Sequence, residues 1–305
     1  GRISVGLKPA MFDRGWHPPG MIGGLGVAIA ACRLMGLDAM SARMAMGLMA
    51  SSGTGIRKNV GSAGKAFHIG NGVRSGLLAA SLARNGFEVD PDIIEGMGKG
   101  QGHQRFGLAD SYAGPGNYSL ERMVDGLGGE LILTRIPTMV RMHPCSTVSG
   151  AAIDGMIELA TQHNLKPAEV DEIDVACHPR MLMIAPYSEP SDGYRAKFCP
   201  SYTLAVAFTD RKVGLAQFTD ERIRDPQVLE LMQRVKVRAR DDIKQDQGWC
   251  GGEDSWGAVR IGIRLKGGRS LSANYAHAKG WPGRPASWDD LCGKYEECSD
   301  GILPA

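Results

Sequence analysis

The 305-residue sequence predicts an α+β fold, with a helical front part and a rear part that mixes helices with a few strands. Three observations predict it. From residue 20 to about residue 149, apolar runs are punctuated by glycine and carry few β-branched clusters, which is the texture of helices. After Thr134, β-branched alternation appears at residues 172–177, 235–240, 258–265 and 270–275. The last two runs are joined by Lys266-Gly267-Gly268-Arg269 and read as a hairpin. With 43% hydrophobic and 22% charged residues, the chain has material for a sizeable core in two domains and no obviously disordered tract.

Taken in order, Gly15-Trp16-His17-Pro18-Pro19-Gly20 opens a helix over residues 20–35 that Gly36 stops. Gly23, Gly24 and Gly26 each weaken that helix by roughly 0.5–1 kcal/mol relative to alanine, so they serve either close helix packing or backbone access for a ligand. A second helix covers residues 41–52, with Met44, Leu48 and Met49 on its apolar face; the methionines read as adaptable core filler. Gly64-Lys65-Ala66-Phe67-His68-Ile69-Gly70-Asn71 opens a third. Asn71 is its expected cap, Val73, Leu77, Leu78 and Leu82 its inward face, and Asn85-Gly86 its stop. In the rear part, helices are expected at residues 151–163, 201–209 and 225–233. Trp281-Pro282-Gly283-Arg284-Pro285 then breaks the sheet, and Ser287-Trp288-Asp289-Asp290-Leu291 starts a capped helix.

Composition removes several function classes. Thirty-five lysines and arginines against 33 acids leave a formal charge of +2, too mild for a nucleic-acid surface. The seven cysteines (Cys32, Cys145, Cys177, Cys199, Cys250, Cys292, Cys298) form no C-x-x-C pair and are odd in number. Neither a zinc site nor a disulfide framework is indicated, and reduced thiols fit a cytoplasmic setting. The start shows no charged segment ahead of an apolar one, as a secretory signal would. The longest apolar run, residues 21–32, is far short of the roughly 20 residues of a membrane span.

The chemistry gathers at the two helix openings. Unpaired N–H groups and the positive end of the helix dipole favour an anion there. His17 is anchored by two prolines, and Lys65 follows a Gly/Ala/Ser-rich stretch from Gly61 that lets backbone approach a ligand. Burial would lower the Lys65 pKa and make it a base; an anionic ligand would push the other way. His68 lies one turn beyond Lys65, and Arg57, Lys58 and Arg74 flank the stretch, read either as substrate-binding cations or as an exposed basic face. Weaker candidates are His143 before Pro144-Cys145, the loop residue His103, and Tyr202, which alone reads as a buried aromatic with a satisfied hydroxyl. Gly24-Leu25-Gly26 lacks the preceding strand of a dinucleotide site, and no Walker lysine motif occurs.

Together these stretches resemble the MmgE/PrpD family, whose members dehydrate, decarboxylate or epimerise small carboxylic acids. The matching pieces are Arg14-Gly15-Trp16-His17-Pro18-Pro19-Gly20, Gly64-Lys65-Ala66-Phe67-His68-Ile69-Gly70-Asn71, Ala196-Lys197-Phe198-Cys199-Pro200-Ser201-Tyr202 and Lys279-Gly280-Trp281-Pro282-Gly283-Arg284-Pro285. The resemblance implies a large all-helical domain over residues 1–127, a smaller α/β domain with a mixed or antiparallel sheet over residues 128–275, and a return segment over residues 276–305. It also implies a site without metal or cofactor, between the domains, in which His17, Lys65 and Tyr202 are catalytic. His68, Arg57, Arg74, His143 and Ser146 would bind substrate. Ser146, in His143-Pro144-Cys145-Ser146, stands where decarboxylases of the family carry a histidine. The helices that precede the Trp-His-Pro segment in the family are missing from this sequence. A second polypeptide, or a cleaved first half of the same precursor, is therefore expected to complete the bundle over the faces of residues 20–35 and 41–52, in an oligomer. The expected chemistry is proton transfer at carbon next to a carboxylate, dehydratase-like in the first instance, with Lys65 and neighbouring arginines stabilising charge while His17 and Tyr202 move protons. An epimerase or isomerase, or a non-catalytic subunit of the same fold, is the alternative.

Overall fold

The computed structural model describes residues 1–53, 55–95, 106–135, 139–243, 258–300 and 302; His103 and Cys250 lie outside them. The chain divides into two compact units, Gly1–Thr134 and Arg135–Ala305. The expected α+β fold is what is found.

The first unit is helical. Two short helices, α1 (Arg2–Leu7) and α2 (Ala10–Asp13), precede three long ones, α3 (Pro18–Leu34), α4 (Ala39–Ser52) and α5 (Gly64–Arg84). Three short helices follow: α6 (Leu108–Ala113), α7 (Leu120–Val124) and α8 (Ile132–Arg135), the last at the unit boundary. Helix α3 starts on Pro18 and Pro19, which have no N–H to leave unpaired, and ends before Gly36 at φ +70°. Asp38 caps α4 by accepting from the Ser41 N–H at 2.8 Å.

Helix α5 differs from expectation. Its helix runs unbroken from Gly64, so Asn71 lies inside it and accepts from Arg74 Nη2 at 2.9 Å instead of capping. Val73, Leu77 and Leu78 face outward, 42%, 48% and 56% exposed, while the inner face is His68, Gly72, Ser75, Gly76, Ala79, Ala80 and Ala83. The reason is proximity to α3. A Cβ on Gly72 would fall on the Gly20 carbonyl, and one on Gly76 on the Gly24 carbonyl and the Val27 side chain. The helices therefore meet backbone to backbone, and only small residues fit. The same contact answers the glycine question for α3: Gly24 serves packing against Met49 and α5, whereas Gly23 and Gly26 have nothing within 4 Å of a notional Cβ among the described residues.

The second unit is α/β. Helix α9 (Gly150–Gln162) precedes β1 (Val170–Cys177); α10 (Pro179–Ile184), α11 (Gly193–Ala196), α12 (Pro200–Asp210) and α13 (Pro226–Gln233) lead to β2 (Val235–Ala239), and the hairpin β3 (Val259–Leu265) and β4 (Ser270–Tyr275) completes the sheet. The order is β2-β1-β3-β4, with β1 parallel to β2 and the other pairs antiparallel. Strand β1 alternates Ile173, Val175 and Cys177 into a core shared with Ile153 and Met156 of α9 and with Leu204 and Phe208 of α12. Ser287 and Asp290 form the expected capping box of α14 (Trp288–Ser299). Residues 276–300 group with this unit. Among the described residues no helix is long and apolar enough to cross a membrane.

Candidate active site

Two histidine centres stand out, one in each unit. In the first, residues 15–17 and 55–57 are zipped together: Trp16 and Ile56 form an isolated antiparallel bridge, the His17 N–H donates to Gly55 O at 2.8 Å, and the Arg57 N–H donates to Gly15 O at 2.8 Å. Tyr112 braces this junction, its ring tilted 46° against that of Trp16 with centroids 4.6 Å apart and its hydroxyl donating to Gly53 O at 2.9 Å. Gly55, at φ +146°, has the position a side chain could not occupy without strain, and a Cβ there would crowd His17 and His68. His17 is thereby fixed at the N-cap of α3, facing the inner side of α5.

There His17 Nδ1 meets His68 Nδ1 at 3.2 Å, both rings buried. Burial holds the His17 pKa down at about 4, with the Lys65 ammonium and His68 adding to the shift. His17 is accordingly neutral at physiological pH, beside a cation. Asn59 approaches the other side of His68, its Nδ2 3.5 Å from Nε2.

The two helix starts do not offer the amides expected of an anion site. Pro18 and Pro19 remove two of the N–H groups of α3. In α5 the Gly64 N–H is taken by Ser62 Oγ at 3.2 Å, and those of Lys65 and Ala66 by the Ser62 and Ala63 carbonyls at 3.1 Å. Charge for an anion here comes from side chains. Arg57 is tied into the fold, donating to Phe12 O at 3.1 Å with its guanidinium over the Phe12 ring, and Arg74 lies on the outer face of α5.

In the second unit His143 is held at both nitrogens by oxygen: Nε2 lies 2.8 Å from Asp154 Oδ1 and Nδ1 lies 3.1 Å from Val213 O. Asp154, buried in α9, also accepts from the Lys279 N–H at 2.6 Å and has Arg284 Nη1 at 3.7 Å. Arg284 in turn pairs with Glu158. This network borders a cleft of about 350 Å³ whose lining includes His143, Asp154, Lys279, Arg284 and Lys294. Ser146, near His143, lines a small recess with Arg141 and Trp281, and its buried Oγ has no hydrogen-bond partner among the described residues. Tyr202 is fully buried in the core of this unit. Its hydroxyl donates to Gln217 O at 2.5 Å, and burial pushes the phenol pKa up.

The structure thus joins His17, His68 and Lys65 of the sequence candidates, and adds two residues that sequence reading passed over, Asn59 and Asp154. Asp154 had a signal, an acid inside the apolar run of residues 151–156; Asn59 had none. The cysteines Cys145 and Cys177 are pushed by burial up to about 12 and about 11, so neither is a thiolate. Among the described residues no group of three or more His, Cys, Asp or Glu side chains could hold a metal ion.

Comparison with known proteins agrees with this division. The MmgE/PrpD N-terminal domain matches residues 2–110 and the MmgE/PrpD C-terminal domain residues 143–305. Similar curated proteins are the cis-aconitate decarboxylases of Mus musculus (26% identical over 99% of this chain and 59% of the relative), Homo sapiens (25%, over 94% and 57%) and Aspergillus terreus (24%, over 86% and 54%). The chain spans less than two thirds of the length of these relatives.

Proposed function

Since the chain belongs to the MmgE/PrpD family, we propose that it is a lyase acting on a small di- or tricarboxylic acid by proton transfer at the carbon next to a carboxylate. The observation that carries this reading is the neutral His17 ring, buried against His68 and within the field of Lys65. Taking a proton from such a carbon leaves charge on the carboxylate oxygens, and an ammonium near a neutral hydrogen-bonding ring stabilises that charge. Lys65 binds the carboxylate and His17 acts on the developing charge. Loss of water from the neighbouring carbon is favoured over loss of CO2, because Ser146 replaces the histidine of the decarboxylase pattern.

The full chain is incubated in heavy water with cis-aconitate, citrate and 2-methylcitrate. Deuterium appearing at carbon, with release of water or CO2, supports the proposal, and binding without exchange overturns it in favour of a non-catalytic subunit. Lys65→Ala and His17→Ala are each expected to lower kcat/KM at least about 100-fold while the circular-dichroism spectrum and unfolding midpoint stay those of a folded protein. Tyr202→Phe separates two roles: a phenol that moves a proton costs turnover, whereas one that only holds Gln217 O costs stability. A partner is also part of this reading. The outward residues Phe67, Ile69, Val73, Leu77 and Leu78 of α5 make an apolar face for it, and a monomeric mass by light scattering together with full activity would remove the partner.

A further inference from the structure

Three side chains of the first unit stand in a row: Asn59 Nδ2 is 3.5 Å from His68 Nε2, and His68 Nδ1 is 3.2 Å from His17 Nδ1. Between two imidazole nitrogens there is room for one hydrogen, so one ring donates and the other accepts. The far side of His68 decides which. With its NH2 turned toward His68, the Asn59 amide donates there, which makes His68 Nε2 the bare nitrogen and puts the His68 hydrogen on Nδ1. His17 Nδ1 then accepts, and the one hydrogen of the neutral His17 ring is on Nε2.

We propose that Asn59 is a positioning residue which, acting through His68, holds His17 as its Nε2–H tautomer, so that His17 meets a substrate oxygen as a hydrogen-bond donor and not as a base. The substrate in this statement rests on the lyase reading; the tautomer does not. Local packing fits the assignment. The Gly64 position leaves the Asn59 amide its room, since a Cβ there would stand 3.1 Å from Asn59 Cγ, and Gly55 does the same for the two rings. Among the described residues no protein group meets His17 Nε2, which leaves that N–H for a ligand. Lys65 is the charged group whose field reaches the ring, and a cation beside it keeps a second proton off. A neutral imidazole N–H in a buried site stabilises a developing oxyanion without having to lose its own proton. The proton leaving carbon must go to another group.

The test reads the hydrogens directly. The full chain is labelled with ¹⁵N-histidine, and long-range proton–nitrogen correlation at pH 7.5 reports which nitrogen of each ring is protonated. His17→Gln and His68→Gln assign the signals. The expected pattern is Nε2–H for His17 and Nδ1–H for His68. In Asn59→Asp a carboxylate accepts where an amide donated, and the pattern is expected to reverse to Nδ1–H for His17 and Nε2–H for His68; Asn59→Gln, which keeps the amide, is expected to retain the original pattern. His17 found as Nδ1–H in the wild-type chain overturns the proposal, and so does an Asn59→Asp protein, folded by its remaining signals, with both tautomers unchanged. Should Asn59→Asp not fold, the wild-type tautomers decide alone. No substrate enters the measurement: an inert chain with the expected tautomers retires the lyase reading and leaves Asn59 its role, while an active chain with the opposite tautomers does the reverse.

Discussion

The two units bury their helices by opposite means. Helix α5 meets α3 through glycine, alanine and backbone carbonyls, leaving Val73, Leu77 and Leu78 outside. Helix α9 meets the sheet through Ile153 and Met156 against Ile173, Val175 and Ile261, with one buried charge, Asp154, joined to His143, the Lys279 amide and Arg284. The histidines follow the same division. His17 and His68 face each other nitrogen to nitrogen, so that the tautomer of one sets that of the other. His143 faces oxygen at both nitrogens, which fixes a clamp across α9, residue 213 and the turn near residue 279. Close backbone packing makes a chemical pair in the first unit. Side-chain bulk and charge hold a single ring between two oxygens in the second.

The largest effect that would break this comparison is at the clamp. Asp154→Ala leaves His143, the Lys279 N–H and the Arg284 guanidinium without their shared acceptor, and stability is expected to fall by about 3 kcal/mol, read in urea unfolding followed by a probe in the second unit. A loss under about 1 kcal/mol would mean the clamp is only a surface network. Next is the backbone contact of the first unit. Gly72→Ala adds one methyl group where the Gly20 carbonyl stands and is expected to cost about 2 kcal/mol. Leu77→Ala, on the outer face of the same helix, is expected to stay within about 0.5 kcal/mol. If these two exchanged magnitudes, α5 would be rotated from the face described.

The contrast also shows what was legible in the residues. In the second unit burial follows side-chain size, so alternation placed β1 to β4 within two residues of where they lie, and the helices at 150–162, 200–210 and 226–233 with them. In α5 burial runs against size, and Leu77 and Leu78, which read as core, are on the surface. The glycines Gly72 and Gly76 held the answer, but only the facing carbonyls of α3 reveal it. At the site, the prolines after His17 and the small residues around Lys65 mark the two helix starts between which His17 and His68 meet. The pairing of His17 with His68 depends on a bridge between residues 16 and 56, a tertiary event with no local signature. Asn59 reaches His68 from a short 3-10 turn across the same junction and was invisible for the same reason.

A smaller effect tests the chemical pair through pH. His17 has its folded-state pKa held at about 4 against 6.5 for an exposed ring. Between those values the unfolded chain binds the proton that the folded one refuses, so folding stability is full above pH 6.5 and is lost as pH falls toward 4. By about pH 5.7 the loss attributable to His17 is expected to be about 1 kcal/mol, rising to roughly 3 kcal/mol by pH 4. It is measured as the difference in slope between the wild-type chain and His17→Gln, and equal slopes would show that burial does not hold the ring neutral.

The smallest effect has the opposite sign. Gly23 sits inside α3 with nothing among the described residues within 4 Å of a notional Cβ, unlike Gly24 one residue on, which faces Met49 and the Gly72 carbonyl. Glycine within a helix costs backbone entropy whether or not it packs, so Gly23→Ala is expected to stabilise the first unit by about 0.5–1 kcal/mol, read as a raised unfolding midpoint. Gly24→Ala, a neighbour with identical intrinsic propensity, is expected to destabilise. If Gly23→Ala destabilised as well, another surface would have to stand on that face in solution, and the glycine would serve contact on both sides of α3. The experiment therefore weighs intramolecular packing against a covering partner at one methyl group's resolution.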